Sequence, residues 1–91
     1  MAKAAAFIRH EVADYGAWRA VYDEVEPLRQ QHGCTAQEVF VAPDNKQDVT
    51  IIHRFDSLEA AQGFFGDPAL KAAMERAGVA GPPRIELTVE A

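Results

Sequence analysis

Along the chain the apolar positions switch back and forth between a spacing of two and a spacing of three to four, and the switches predict its elements. Residues 5–12 run apolar and then alternate up to a break at Asp14, the pattern of a half-buried strand. Asp14 can cap the amides of Gly16 and Ala17, and Trp18, Val21, Tyr22, Val25 and Leu28 then recur at helical spacing until Gly33. Pro27 interrupts that stripe. Lacking an N–H and crowding the carbonyl of Asp23, it should bend the helix or restart it as a second segment. Positions 35–42 and 48–55 alternate again around the polar turn 43–47, which reads as a hairpin. Ser57 offers an N-cap, with Glu59 in the first turn, for a short helix carrying Leu58, Ala61, Phe64 and Phe65. Asp67-Pro68 opens another over 68–77, with Leu70, Ala73, Met74 and Ala77 on one side and Gly78 as its stop. A turn at Ala80-Gly81-Pro82-Pro83 leads into 84–90, where the alternation of Ile85, Leu87 and Val89 is the cleanest in the chain.

The order is therefore β-α-β-β-α-β. With right-handed crossovers it gives an α+β, ferredoxin-like fold, a four-stranded antiparallel sheet with the helices on one face. Parity places Ala6, Ile8, His10 and Val12, then Val49, Ile51, His53 and Phe55, and finally Ile85, Leu87 and Val89 under the helices. The opposite face carries Phe7, Arg9, Glu11, Phe40, Thr50, Ile52, Arg54, Arg84, Glu86 and Thr88, and is too apolar to stay wholly wet. At 91 residues the chain is one domain, residues 1–91. Such a length buries only roughly 60–65% of the unfolded surface, so a second copy packed on that mixed face is expected, giving a homodimer.

Charge and cysteine content narrow the partners. The formal net charge is −5 and the basic residues are scattered, so nucleic acid is not expected. No segment is apolar and long enough to span a membrane, the start MAKAAAFIRHEV has no secretory pattern, and Cys34 is the only cysteine. These features suggest a reduced, cytoplasmic protein.

His10 and His53 fall on the helix-facing row of neighbouring strands, with Trp18 and Tyr22 on the helix above them. Two titratable groups and two polar-tipped aromatics in an apolar layer form the best candidate pocket, which Phe64, Phe65 and Met74 would close from the second helical region. A half-buried, neutral histidine can serve as a general base, so His10 and His53 are the catalytic candidates, set against a plain core or rim role for both. Trp18 and Tyr22 could stack on a planar ligand or simply form the heavy end of a helix core. Pairing Ile8 with Ile52 would put the two imidazoles about 10 Å apart. Arg9 and Arg54 would pair with Glu11 and Glu86 on the outer face. His32, near a helix C-terminus, needs no catalytic role. The histidine spacing gives no metal site, and neither a phosphate-binding loop nor a dinucleotide fingerprint is present, so no cofactor is expected.

The segments Val12-Ala-Asp14-Tyr15-Gly-Ala-Trp18, Phe55-Asp56-Ser57-Leu-Glu59-Ala60, Phe64-Phe65 and Asp67-Pro68-Ala-Leu70-Lys71 give the chain a family likeness. Over nearly its whole length it resembles the dimeric α/β-barrel superfamily, and within it the small bacterial proteins similar to antibiotic-biosynthesis monooxygenases and polyketide cyclases. The resemblance implies paired sheets, outer helices and one hydrophobic pocket per subunit, working without metal or flavin. Trp18 would be the tryptophan of the quinone-forming members, while the sole asparagine, Asn45, falls in a predicted turn. The expectation is a homodimer acting on a hydrophobic aromatic or polyketide-like molecule as a cofactor-independent monooxygenase or cyclase. The alternatives are a non-catalytic ligand-binding or structural dimer and, third, haem binding or degradation.

Overall fold

Residues 2–91 are described by a computed structural model, with eight elements in the order β-α-α-β-β-α-α-β. Strand β1 (Ala4–Val12) is followed by α1 (Tyr15–Glu24) and α2 (Glu26–Gln31), the hairpin β2 (Cys34–Ala42) and β3 (Asn45–Phe55), then α3 (Leu58–Phe65), α4 (Pro68–Arg76) and β4 (Val79–Val89). The sheet runs β2-β3-β1-β4 with every neighbouring pair antiparallel, the predicted ferredoxin-like α+β arrangement.

The local signals act where they were read. Asp14 accepts from the Ala17 amide at 2.8 Å, Ser57 from Ala60 at 3.2 Å and Asp67 from Ala69 at 2.8 Å, each cap satisfying one orphan donor of a helix start. Pro27 restarts the first helix rather than bending it. Val25 is both the last cap of α1 and the first of α2, and Pro27 occupies the opening turn of α2, where its missing N–H costs nothing. Gly33 and Gly78 follow α2 and α4 at φ 80° and 75°, a backbone that a Cβ disfavours. His32 Nε2 meets Asp67 Oδ2 at 2.8 Å and ties the end of α2 to the start of α4.

Alternate residues of β1 and β3 supply the core: Ala6, Ile8, Val49, Ile51 and Phe55 are all buried under Trp18, Ala61 and Phe64. Each large apolar side chain so covered contributes about 1.5–3 kcal/mol relative to exposure.

Four expectations change. The turn between β2 and β3 is confined to Pro43-Asp44, because Ala42 already pairs with Asn45, and the Asn45 carboxamide accepts from the Gln47 amide. The predicted turn at Ala80-Gly81-Pro82-Pro83 lies inside β4. Between Arg9 and Glu11 of β1 the partner strand advances from Arg84 to Ala80, so the extra residues form a bulge on an edge strand, where prolines without N–H groups are tolerated. Ile85, Leu87 and Val89 share the helix-facing side but are 38%, 38% and 53% exposed, because the helices cover the two central strands and leave the rim open. Arg9 pairs with Asp48 at 2.6 Å and Arg54 with Glu38 at 3.4 Å, not with Glu11 and Glu86; Glu86 is taken by Arg84. The pairs of Arg9 and Arg54 follow the cross-strand register, while Arg84 and Glu86 stand two apart on β4. No helix among the described residues is long and apolar enough to cross a membrane.

Candidate active site

Register decides what the two histidines can do together. Ile8 lies opposite Ile51, which sets His10 opposite Val49 and His53 opposite Ala6. A pairing of Ile8 with Ile52 would have turned one apolar row to solvent, and burial of the row selects the observed register. The histidines share one face but stand four residues apart along the ladder, about 13 Å rather than 10 Å.

Helix α1 bridges that gap with rings. Trp18 and Tyr22, one turn apart on the stripe, stack at 4.9 Å and 23°. His10 meets Trp18 edge-on at 5.7 Å, and Tyr22 lies nearly parallel to His53 at 6.0 Å. Phe64 and Phe65 of α3 then enclose His53 at 5.5 Å and 6.2 Å. All of the predicted site residues, His10, Trp18, Tyr22, His53, Phe64, Phe65 and Met74, line one cavity of about 60 Å³. That volume holds one or two waters; an apolar cavity of about 150 Å³ is needed to take up benzene.

The two histidines differ in how they are satisfied. His53, 4% exposed, has Nε2 at 3.0 Å from the Tyr22 hydroxyl. Burial, with a smaller push from the Arg29 charge, lowers its pKa to about 4, while burial raises Tyr22 to about 12. The pair therefore stays neutral across the whole physiological range, and with Tyr22 donating to Nε2 the ring carries its proton on Nδ1, which is buried with no partner among the described residues. His10 is also buried, and neither of its nitrogens has a hydrogen-bond partner among the described residues. Burial pushes its pKa down, so it is neutral and presents a free acceptor next to Trp18.

Arg29 was not anticipated from the sequence. It is 2% exposed, donates to the Tyr22 carbonyl at 2.8 Å and to Glu26 at 2.8 Å and 3.0 Å, and places its guanidinium 3.9 Å from the centre of the Tyr22 ring. Arg29 stands four residues after Val25 and seven after Tyr22, so helical spacing puts it on the apolar stripe itself, and Val25, still in the helical region at φ −84° and ψ −2°, carries that phase into α2. Tyr22 and Arg29 thereby separate the apolar cavity from a polar surface cleft that also contains Asp23 and Glu26. Cys34 is half-buried and its thiol is pushed up by burial, which leaves it unactivated. Asn45 is exposed at the start of β3, outside the cavity lining.

The family model for antibiotic biosynthesis monooxygenases matches residues 1–76. No curated protein matches the chain. Among solved structures, a candidate antibiotic biosynthesis monooxygenase from Caulobacter crescentus is 17% identical, with a TM-score of 0.80 over 99% of this chain and 91% of that one. SnoaB, a cofactor-independent oxygenase from Streptomyces nogalater, is 10% identical, with a TM-score of 0.83 over 100% of this chain and 95% of its own. A protein of unknown function from Nitrosomonas europaea is 22% identical, with a TM-score of 0.76 over 99% and 90%. At these identities the likeness is one of fold.

Proposed function

This chain belongs to the antibiotic biosynthesis monooxygenase family, and from that membership we propose that it binds a hydrophobic, weakly acidic aromatic or polyketide-like molecule and acts on it as a cofactor-independent monooxygenase or cyclase. The observation that carries the reading is His10: a buried imidazole with both nitrogens free, in edge-on contact with the only tryptophan of the chain in the wall of an apolar cavity. A buried polar group left unpaired costs about 1–3 kcal/mol, and a ligand hydroxyl or enol that donates to it removes that cost. His10 is the base. It takes the proton of the bound phenol or enol, leaving a delocalised anion that reacts with dioxygen or closes a ring. The Tyr22–His53 pair is already engaged and holds the aromatic wall in place as a positioning element. We further propose that the active form is a homodimer, in which a second copy covers Phe7 and Phe40, 40% and 51% exposed on the sheet face away from the helices.

A second reading has its own support. A cavity of about 60 Å³ is what close-packed side chains leave behind, which fits a non-catalytic ligand-binding or structural dimer. Nuclear magnetic resonance separates the two, because Trp18 gives a single indole N–H signal. The enzyme reading expects 1-naphthol to shift that signal saturably, and His10→Ala to weaken 1-naphthol about tenfold without weakening 1-methylnaphthalene, which has no hydroxyl. Equal effects on both ligands would remove His10 from recognition, and no shift at all would leave the non-catalytic reading standing. Sedimentation at micromolar concentrations tests the dimer; a 10.0 kDa species throughout would refute it.

A further inference from the structure

The inner cavity is too small for the ring it is proposed to bind, yet it does not end at a rigid wall. Phe65, Leu70, Met74 and Ile85 line both this cavity and an open groove of about 370 Å³ between α4 and the bulged part of β4. Phe65, Leu70 and Met74 are only half-buried and Ile85 is 38% exposed. Met74, unbranched and with three rotatable bonds, is the side chain in that wall best able to move aside. The groove's outer lip comes from the bulge itself, where Gly81 and Pro83 bow away from β1, and its far rim from Lys71 and Glu75 on α4.

We propose that the cavity and the α4–β4 groove are two halves of one binding site, joined through Met74, and that the ligand is elongated: an acidic ring beside His10 and Trp18 with an apolar extension lying along Leu70, Val79 and Pro83. This rests on the ligand reading above and adds the class of molecule. A compact monocycle would leave the groove empty, whereas a long apolar tail removes Ile85 and Met74 from water. The segment Ala80-Gly81-Pro82-Pro83 is then the lip of a subsite, and Ile85, which the helices leave open, is covered by the ligand.

The test is a series of 4-alkylphenols, from ethyl to octyl, titrated calorimetrically into the full chain. Each methylene that enters an apolar groove strengthens binding roughly two- to fourfold. The affinity is expected to climb along the series, and Lys71→Trp, which fills the groove from its exposed rim, is expected to abolish the climb, so that 4-octylphenol binds no more tightly than 4-ethylphenol. Met74→Ala should admit 4-ethylphenol more tightly by widening the junction. Affinity independent of chain length, with 4-ethylphenol bound and His10→Ala weakening it, overturns the two-part site alone. Failure of every member to bind overturns both this inference and the ligand reading on which it rests.

Discussion

Acidification should loosen this protein well before its carboxylates titrate, and His53 sets the scale. In the unfolded chain its imidazole has a pKa near 6.5; in the fold, burial first and the Arg29 charge second lower it to about 4. The folded state therefore binds fewer protons than the unfolded state between those values. Its contribution is complete above about pH 6.5 and is lost as pH falls toward 4. One pKa unit is about 1.4 kcal/mol, so the full shift amounts to about 3 kcal/mol, and the part lost between pH 7 and pH 5 to about 2 kcal/mol. That is a large fraction of the roughly 5–14 kcal/mol that holds a chain of this size together. Burial lowers His10 as well and adds in the same direction. Urea unfolding at half-unit steps from pH 7.5 to 4.5 measures the loss. His53→Gln supplies the control, since its amide oxygen can still accept from Tyr22 but does not titrate. The variant should be less stable at pH 7 by about 1–2 kcal/mol, and should lose about 2 kcal/mol less than the parent on going to pH 5. A His53 ring signal titrating near 6.5, or a variant with undiminished pH dependence, would refute the argument.

Other expectations follow from the same packing. Trp18→Ala removes a ring that is 3% exposed and should cost about 3–5 kcal/mol in chemical denaturation, with loss of the His10 contact as a side effect. Arg29→Met keeps the aliphatic stem but removes charged hydrogen bonds to Glu26 and the Tyr22 carbonyl. A loss of about 2–4 kcal/mol and a red-shifted or broadened near-ultraviolet tyrosine signal are expected, and an unchanged midpoint would show the guanidinium to be idle. Ser57→Ala should lower stability by about 1 kcal/mol through the lost cap on α3. The Asp67 carboxyl is held below the usual carboxylate range, chiefly by His32 and then by the Ala69 amide. Its stabilisation is present above that range and lost as pH falls through it, so Asp67→Asn should flatten the most acidic limb of the stability profile.

Most of the fold was legible because its signals are local. Asp14, Ser57 and Asp67 cap the helices for which they were read, and the period of two placed His10 and His53 on the covered face. What was not legible depends on relations between elements. The prolines at 82 and 83 have the composition of a turn, and only the ladder with Arg9 and Glu11 shows that the chain remains in β4. The partners of Arg9 and Arg54 are set by a register that alternation alone leaves open by whole steps of two. Arg29 was hidden because a charged residue is not expected on an apolar stripe, although its spacing of four from Val25 and seven from Tyr22 places it there.

Arg29 also separates the roles of the two histidines. With Arg29 lying over the Tyr22 ring and the Tyr22 hydroxyl on His53, burial first and the Arg29 charge second keep that imidazole neutral. His53 is thus bound into the structure at the end of the ring ladder that the polar cleft adjoins. No such partner reaches His10 at the other end; Trp18 offers it only a ring edge, and its nitrogens stay free. The same sheet row therefore holds one histidine with a nitrogen engaged by the fold, Nε2 of His53, and one with both nitrogens left for something else. A core histidine conserving only packing could be replaced by an apolar residue of similar shape at a gain in stability. His10→Leu should accordingly be as stable as the parent or more so at pH 7, while losing the preference for 1-naphthol over 1-methylnaphthalene. A His10→Leu protein that is several kcal/mol less stable would mean that the imidazole already has a structural partner, and its assignment as the base would fall with that result.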